Sequence, residues 1–323
     1  VYGASSPRMN VADLRTKGWE ASVTWGDSFT LASKPFNYRI MAGIGDNTSK
    51  VTKYDNPNRT LTDPYEGQQL GEIWGYVVDG YFKTDEEARN YKVDQSFVNQ
   101  MINASALDNG LHAGDLKFVD LDGNNKIEQT TSANDRKDMK VIGNSLPRYN
   151  YNFGISADWY GIDFSVLFQG IGKQNWYPGA ETSMFWGPYS RPYASFIPSD
   201  FMSQVWSEEN TNAYFPRPRG YVALGSNREL AVVNTKYLQN LAYCRLKNLS
   251  IGYTLPDKWL SKIGFEKIRV YFSGENLLTF TKLHSDYIDP EQASASNSWK
   301  TSKSDANIYP WAKTYSFGVD ITF

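Results

Sequence analysis

The sequence has one cysteine, two histidines and a formal charge of only −2 across 323 residues. A single thiol, Cys244, excludes an internal disulfide framework. The two histidines, His112 and His284, lie far apart and exclude the His-Glu-x-x-His spacing of a zinc protease. A Gly-rich phosphate loop and a nucleophile elbow are also lacking. Carboxylate pairs such as Glu86-Glu87 and Glu208-Glu209 read as solvated faces or helix starts, so no enzyme is expected. The small net charge gives no basis for binding nucleic acid or an anionic membrane surface. No stretch approaches the roughly 20 apolar residues of a transmembrane helix, and mean hydropathy is −0.53. A membrane β-barrel escapes that test, because half of each strand is polar. The chain starts Val1-Tyr2-Gly3 with neither Met nor a signal peptide, which suits a processed chain or a fragment.

Aromatic residues are abundant, at 15% with 22 Tyr and 10 Trp. Many fall in strict alternation. At the C-terminus Tyr315, Phe317, Val319, Ile321 and Phe323 alternate with Thr314, Ser316, Gly318, Asp320 and Thr322, the two-residue repeat of a half-apolar strand. A terminal ring suits the rim of a membrane barrel, where hydrocarbon meets water. The same pattern also fits the edge of a soluble sandwich. Upstream, Trp19 to Trp25 and Phe36 to Ile44 form an amphipathic hairpin around a polar turn at 26–35. Tyr149 to Trp159 and Ile162 to Phe168 form a second, turning at Tyr160-Gly161. Leu249 to Leu255 and Ile268 to Phe272 form a third, and the stretch 243–248 breaks phase as a bulge would. The opening residues 1–13 read as loop, a helix is expected from Thr84, and one helical turn is expected within 256–264.

Seven strands result, joined alternately by short and long connections. The long ones span about 46–148, 170–240 and 276–312. In an antiparallel sheet successive connections lie at opposite ends, so all long loops share one end. That sorting is characteristic of outer-membrane barrels, with short periplasmic turns and long extracellular loops. The expected fold is therefore all-β: about seven antiparallel strands forming the C-terminal part of one large transmembrane β-barrel domain. The alternative is a soluble calcium-dependent β-sandwich that binds carbohydrate.

The chain resembles the C-terminal third of a SusC/RagA-type TonB-dependent outer-membrane transporter of the Bacteroidetes. The resemblance rests on 10–20, Tyr65-Glu66-Gly67-Gln68 with 75–82, Gly114-Asp115-Leu116-Lys117-Phe118-Val119-Asp120-Leu121-Asp122-Gly123, 142–147, 245–256 and the closing strand. It implies a plugged barrel of about 22 strands and a SusD-type surface lipoprotein partner. It also implies import of a glycan, peptide or other oligomer, energised by the TonB complex through the plug. Localisation would be the outer membrane of a Gram-negative bacterium, with the loops extracellular and the C-terminus periplasmic. The sequence holds no candidate plug or TonB box, and seven strands leave open edges. The remainder of the barrel and outer-membrane lipid are thus expected neighbours.

Two groups of residues are candidates for a site. Asp120, Asp122 and Asn124, with the Lys126 carbonyl and Glu128, resemble the start of a calcium loop. Family resemblance adds a downstream acid, matched by Asp135. The pattern departs from an EF-hand at Asn125 and Thr131, and an Asx-stabilised polar turn explains the same residues without metal. A bound Ca²⁺ would be structural. The second group is the aromatic loop, with Trp176, Tyr177, Trp186, Tyr189, Tyr193 and Trp206 as contacts to ligand or lipoprotein. A long ordered loop must also bury something, so the same rings suit its own core.

Overall fold

The computed structural model describes residues 10–98, 110–190, 196–225, 228–260, 264–293, 303–304 and 309–323. Seven long strands dominate: β1 (Asp13–Leu31), β2 (Lys34–Lys53), β3 (Arg148–Trp159), β4 (Ile162–Lys173), β5 (Tyr243–Thr254), β6 (Lys267–Thr281) and β7 (Thr314–Thr322). They form one sheet in chain order, and every neighbouring pair is antiparallel. The order follows from the connections. Two-residue turns hold β1 to β2 at Ala32-Ser33 and β3 to β4 at Tyr160-Gly161. All four turn residues have positive φ, the conformation whose twist matches a right-handed strand pair.

The first turn is shorter than the 26–35 read from sequence. The polar residues Asp27 and Ser28 interrupt the alternation, but the pairing runs through them as far as Leu31 and Lys34. Phe29 and Phe36 then pack across the strands, with ring centroids 5.0 Å apart. At the far end, β2 continues past residue 46 to Lys53. The out-of-phase stretch in β5 is a bulge: the register shifts between Leu246 and Asn248 against both neighbours. The extra residue puts Leu246 opposite Leu278 and turns Arg245 to the polar face, opposite Thr279.

Side chains sort cleanly between the two faces. Trp19, Val23, Trp25, Ile40, Ile44, Phe153, Ile155, Ile251, Val270, Phe317, Val319 and Ile321 all stand exposed on one face. A soluble sandwich would need a second sheet against that face. The other sheets among the described residues have three, two and two strands and are built from loop segments, and the apolar band stays uncovered. This is the lipid-facing band of a partial barrel. On the opposite face one row across the sheet reads Arg39, Ser156, Ser165, Ser250, Ser273 and Ser316. Glycines within the strands let long side chains cross this wall. On the apolar face, Tyr151 passes Gly170 to donate to the Tyr243 carbonyl at 2.9 Å.

The three long connections do not fold separately. Tyr76, Tyr81, Leu116, Phe118 and Ile127 from the first, Tyr177, Phe185, Trp186, Phe215 and Tyr237 from the second, and Leu283 and Ile288 from the third form one buried cluster. The expected helix is present as α1 (Asp85–Arg89), capped by Thr84, whose hydroxyl accepts from the Glu87 N–H at 3.1 Å. Glu87 also accepts from the N–H of Lys83, the residue before the cap, at 2.8 Å. A helical turn, α2 (Asp257–Leu260), follows β5 as expected.

Candidate functional site

The aspartate loop sits at the edge of the shared loop core. Ile127 is fully buried in that core, which pins the loop at its apolar position. Its backbone is tied to the chain at Asp94, with the Ile127 N–H donating to the Asp94 carbonyl at 2.7 Å. The turn itself is held by side-chain oxygens. Asp120 accepts from the N–H of Gly123 and of Asn125, each at 2.7 Å. Asp122 accepts from the Asn124 N–H at 3.1 Å, and Asn124 accepts from Lys126 at 2.8 Å. Asn125 takes a φ of 63° at the position where an EF-hand has glycine. Asparagine tolerates that conformation better than most residues, so the departure read from sequence is structurally absorbed.

The third acid that converges on this loop is Asp138. Oxygens of Asp120, Asp122 and Asp138 lie within 4.8 Å of one another. Asp138 is delivered by the strand Met139–Asn144, which pairs with Glu72–Tyr76. It is buried, and it accepts from the Leu121 N–H at 2.8 Å and the Glu128 N–H at 2.7 Å. Burial pushes its carboxyl up, against the pull of those two bonds. Asp120 goes the other way: desolvation opposes it, but the bonds from Asn125 and Gly123 hold its carboxyl low. Asp135 points elsewhere and pairs with Lys137 at 3.6 Å. Glu128 accepts from the Asn124 amide at 3.0 Å and faces Lys137 at 3.7 Å. Three hard carboxylates close together fit Ca²⁺ chemistry.

The aromatic candidates lie inside the loop core. Trp176, Tyr177, Trp186 and Tyr189 are at most 1% exposed and Trp206 is 8% exposed. Trp186 packs edge-on against Phe185 and Tyr237, with centroids 4.8 and 5.1 Å away, the arrangement that aromatic quadrupoles favour. Polar tips are used internally: Tyr189 donates to the Pro216 carbonyl at 2.7 Å and Tyr177 to the Leu230 carbonyl at 2.8 Å. In this conformation these rings therefore present no face to a ligand or partner. Tyr193 lies outside the described residues. Apolar residues that do face solvent from the loops include Phe196, Ile197, Met202, Tyr221 and Tyr287.

Ion pairs that the sequence did not disclose tie the loops to the wall. Arg245, turned inward by the β5 bulge, donates to Asp289 and Glu291 of the third long connection, each at 2.6 Å. Lys247 reaches the same Glu291 at 2.8 Å. At the base of the first connection, Arg148 grips Asp46 through two bonds of 2.5 Å. The phase break around 243–248 was the only local signal for the first of these anchors.

No family model matches the chain. Curated relatives do. TonB-dependent receptor P3 of Formosa agariphila is 27% identical over 340 residues, covering 99% of this chain and 30% of the relative. TonB-dependent receptor P39 of the same organism is 25% identical over 349 residues, covering 99% of this chain and 31% of the relative. The solved RagAB peptide importer in its open-open state superposes on 97% of this chain and 29% of its own, with a TM-score of 0.62 at 18% identity. A further RagAB peptide transporter structure gives 0.63 at 18% identity, again over 97% of this chain and 29% of its own. The lipid-facing band and sorted connections thus define the class, a β-barrel protein of the outer membrane. Within it, the chain is similar to a segment of TonB-dependent receptors and shares the fold of the RagAB barrel. It spans about 30% of the length of the curated relatives it matches.

Proposed function

We propose that this chain is the C-terminal wall and loop portion of an outer-membrane importer of oligomers, either glycans or peptides. It works with a SusD-type surface lipoprotein, and energy reaches it from TonB through a plug carried elsewhere in the receptor. The long connections are extracellular and the C-terminus periplasmic. One observation carries the reading: three long connections from one end of a lipid-facing wall share a single buried core. Such a rigid loop body at a barrel mouth is suited to seat a lid or cargo. The relatives add support by name, since one group is called TonB-dependent receptors and the other a peptide importer.

The test is purification of the full-length receptor from outer membranes in mild detergent, paired with uptake of fluorescent oligopeptides and oligosaccharides by cells with and without the gene. Co-purification of a surface lipoprotein and gene-dependent uptake of one oligomer class are expected. A receptor that fractionates with soluble protein, or uptake unchanged on deletion, overturns the reading.

The aspartate loop is proposed to hold one structural Ca²⁺. Its ligands would come from Asp120, Asp122 and Asp138, with Asn124, Glu128 and the Lys126 carbonyl at the rim. The convergence of three carboxylates supports this. The ion would fix the loop edge and take part in no covalent chemistry.

A further inference from the structure

Deep in the loop core, away from the aspartate loop, lies a second group of charges. Glu229, from the second long connection, is 1% exposed. Its Oε1 is buried and has no hydrogen-bond partner among the described residues. Across from it, in the first connection, is Asp115, equally buried. Asp115 is already served: Arg219 donates to its Oδ1, and the His112 N–H donates to Oδ2 at 2.9 Å. Arg219 keeps its Nε buried without a partner. Two carboxyls from different connections therefore compete for one guanidinium, and Asp115 holds it.

The other groups around Glu229 do little to stabilise a negative charge there. Arg219, the Leu116 N–H and Arg217 favour the ionised form, but burial and the Asp115 charge outweigh them; burial pushes the Asp115 carboxyl up as well, against the pull of Arg219. The Arg217 guanidinium is otherwise engaged with the first connection, its Nη1 donating to the Ala113 carbonyl at 3.4 Å. Also near Glu229 are the hydroxyls of Tyr81, Tyr177, Tyr189 and Tyr237, which desolvation keeps neutral. An unpaired buried carboxylate is costly, whereas a protonated one is a small polar group.

We propose that Glu229 is a proton-held latch between the first and second long connections. Its neutral carboxyl lets the Asp115 and Arg219 segments pack together, and its ionisation loosens them. Because the folded loops hold this proton more tightly than the opened loops, the latch is strongest near and below the ordinary glutamate range. It weakens as pH rises above that range. The device lets the loop body respond to external pH without changing the wall.

The experiment is hydrogen–deuterium exchange on the full-length receptor in detergent at pH 6 and pH 9, corrected for the intrinsic exchange rate. Protection of 112–118 and 217–232 should fall at least about tenfold at pH 9, while β3 and β4 stay unchanged. Glu229→Gln should abolish that fall, because the amide cannot ionise. Asp115→Asn frees Arg219 for Glu229 and should reduce the fall. Equal protection of the wild type at both pH values overturns the proposal on its own. An undiminished fall in Glu229→Gln overturns it too, by assigning the titration to another group.

Discussion

Arg269 on β6 reaches over Gly252 on β5 to grip Asp163 on β4. Its Nε and Nη2 donate to the two carboxylate oxygens at 2.8 and 2.6 Å. Its remaining arm extends to Asp320 on β7 at 3.2 Å. One guanidinium thus links three strands and crosses a fourth. The crossing requires a bare backbone at Gly252: a Cβ there would stand 2.5 Å from both Arg269 Nη2 and Asp163 Oδ1. Gly252→Ala is expected to displace the guanidinium and lower wall stability by about 1–3 kcal/mol, as overpacking does. Asp163→Asn should cost less, under about 1 kcal/mol, because the pair is partly open to water. The midpoint of heat-modifiable gel migration of the full-length receptor reports both.

The two faces of β5 predict opposite tolerance to charge. Ile251 belongs to the exposed apolar band and Ser250 to the serine row. Ile251→Arg should destabilise the barrel by about 2–4 kcal/mol if it lies near the bilayer midplane. Ser250→Arg should leave stability nearly unchanged. Urea unfolding in lipid vesicles distinguishes them, and equal losses would remove the assignment of faces.

Trp186 is the centre of the ring cluster. Trp186→Ala should cost about 3–5 kcal/mol in loop packing. The damage is expected to stay in the loops: brief proteolysis should cut within 174–242 while the strands keep their heat-modifiable fold.

Arg245 holds the third connection against the wall, and both it and Asp289 are at most 5% exposed. Arg245→Met leaves Asp289 buried without its cation. The expected penalty is about 3–5 kcal/mol, seen as new protease sensitivity at 282–293. Lys247 still holds Glu291, so Lys247→Met added to Arg245→Met should release the segment further.

For the aspartate loop, Ca²⁺ should raise the melting temperature of the full-length receptor. Asp138→Asn and the pair Asp120→Ala with Asp122→Ala should each abolish that rise. Asp135→Ala should preserve it. A rise that survives Asp138→Asn but not Asp135→Ala would restore the ligand set suggested by the chain's resemblance to SusC/RagA-type transporters.

The strands were legible because their instruction is local. Lipid on one side and a polar interior on the other force a two-residue repeat, and each strand carries that repeat in its own residues. Even the β5 bulge showed as a break in phase. The loops carry no such code. A tryptophan needs the same flat apolar ring to fill a core as to meet a partner, so Trp176 and Trp186 gave no sign of which they do. Asp135 and Asp138 are equally acidic, and only the path of the strand Met139–Asn144 brings the second one to Asp120. The alternating wall, its seven strands and the sorting of its connections are written in the residue pattern alone. The tertiary structure alone decided that three connections share one core, that Arg245 anchors the third, and that Glu229 stands opposite an already satisfied Asp115. Those pairings join residues 44 to 114 positions apart, and contacts at such separations are fixed by how the chain packs rather than by any repeat within it.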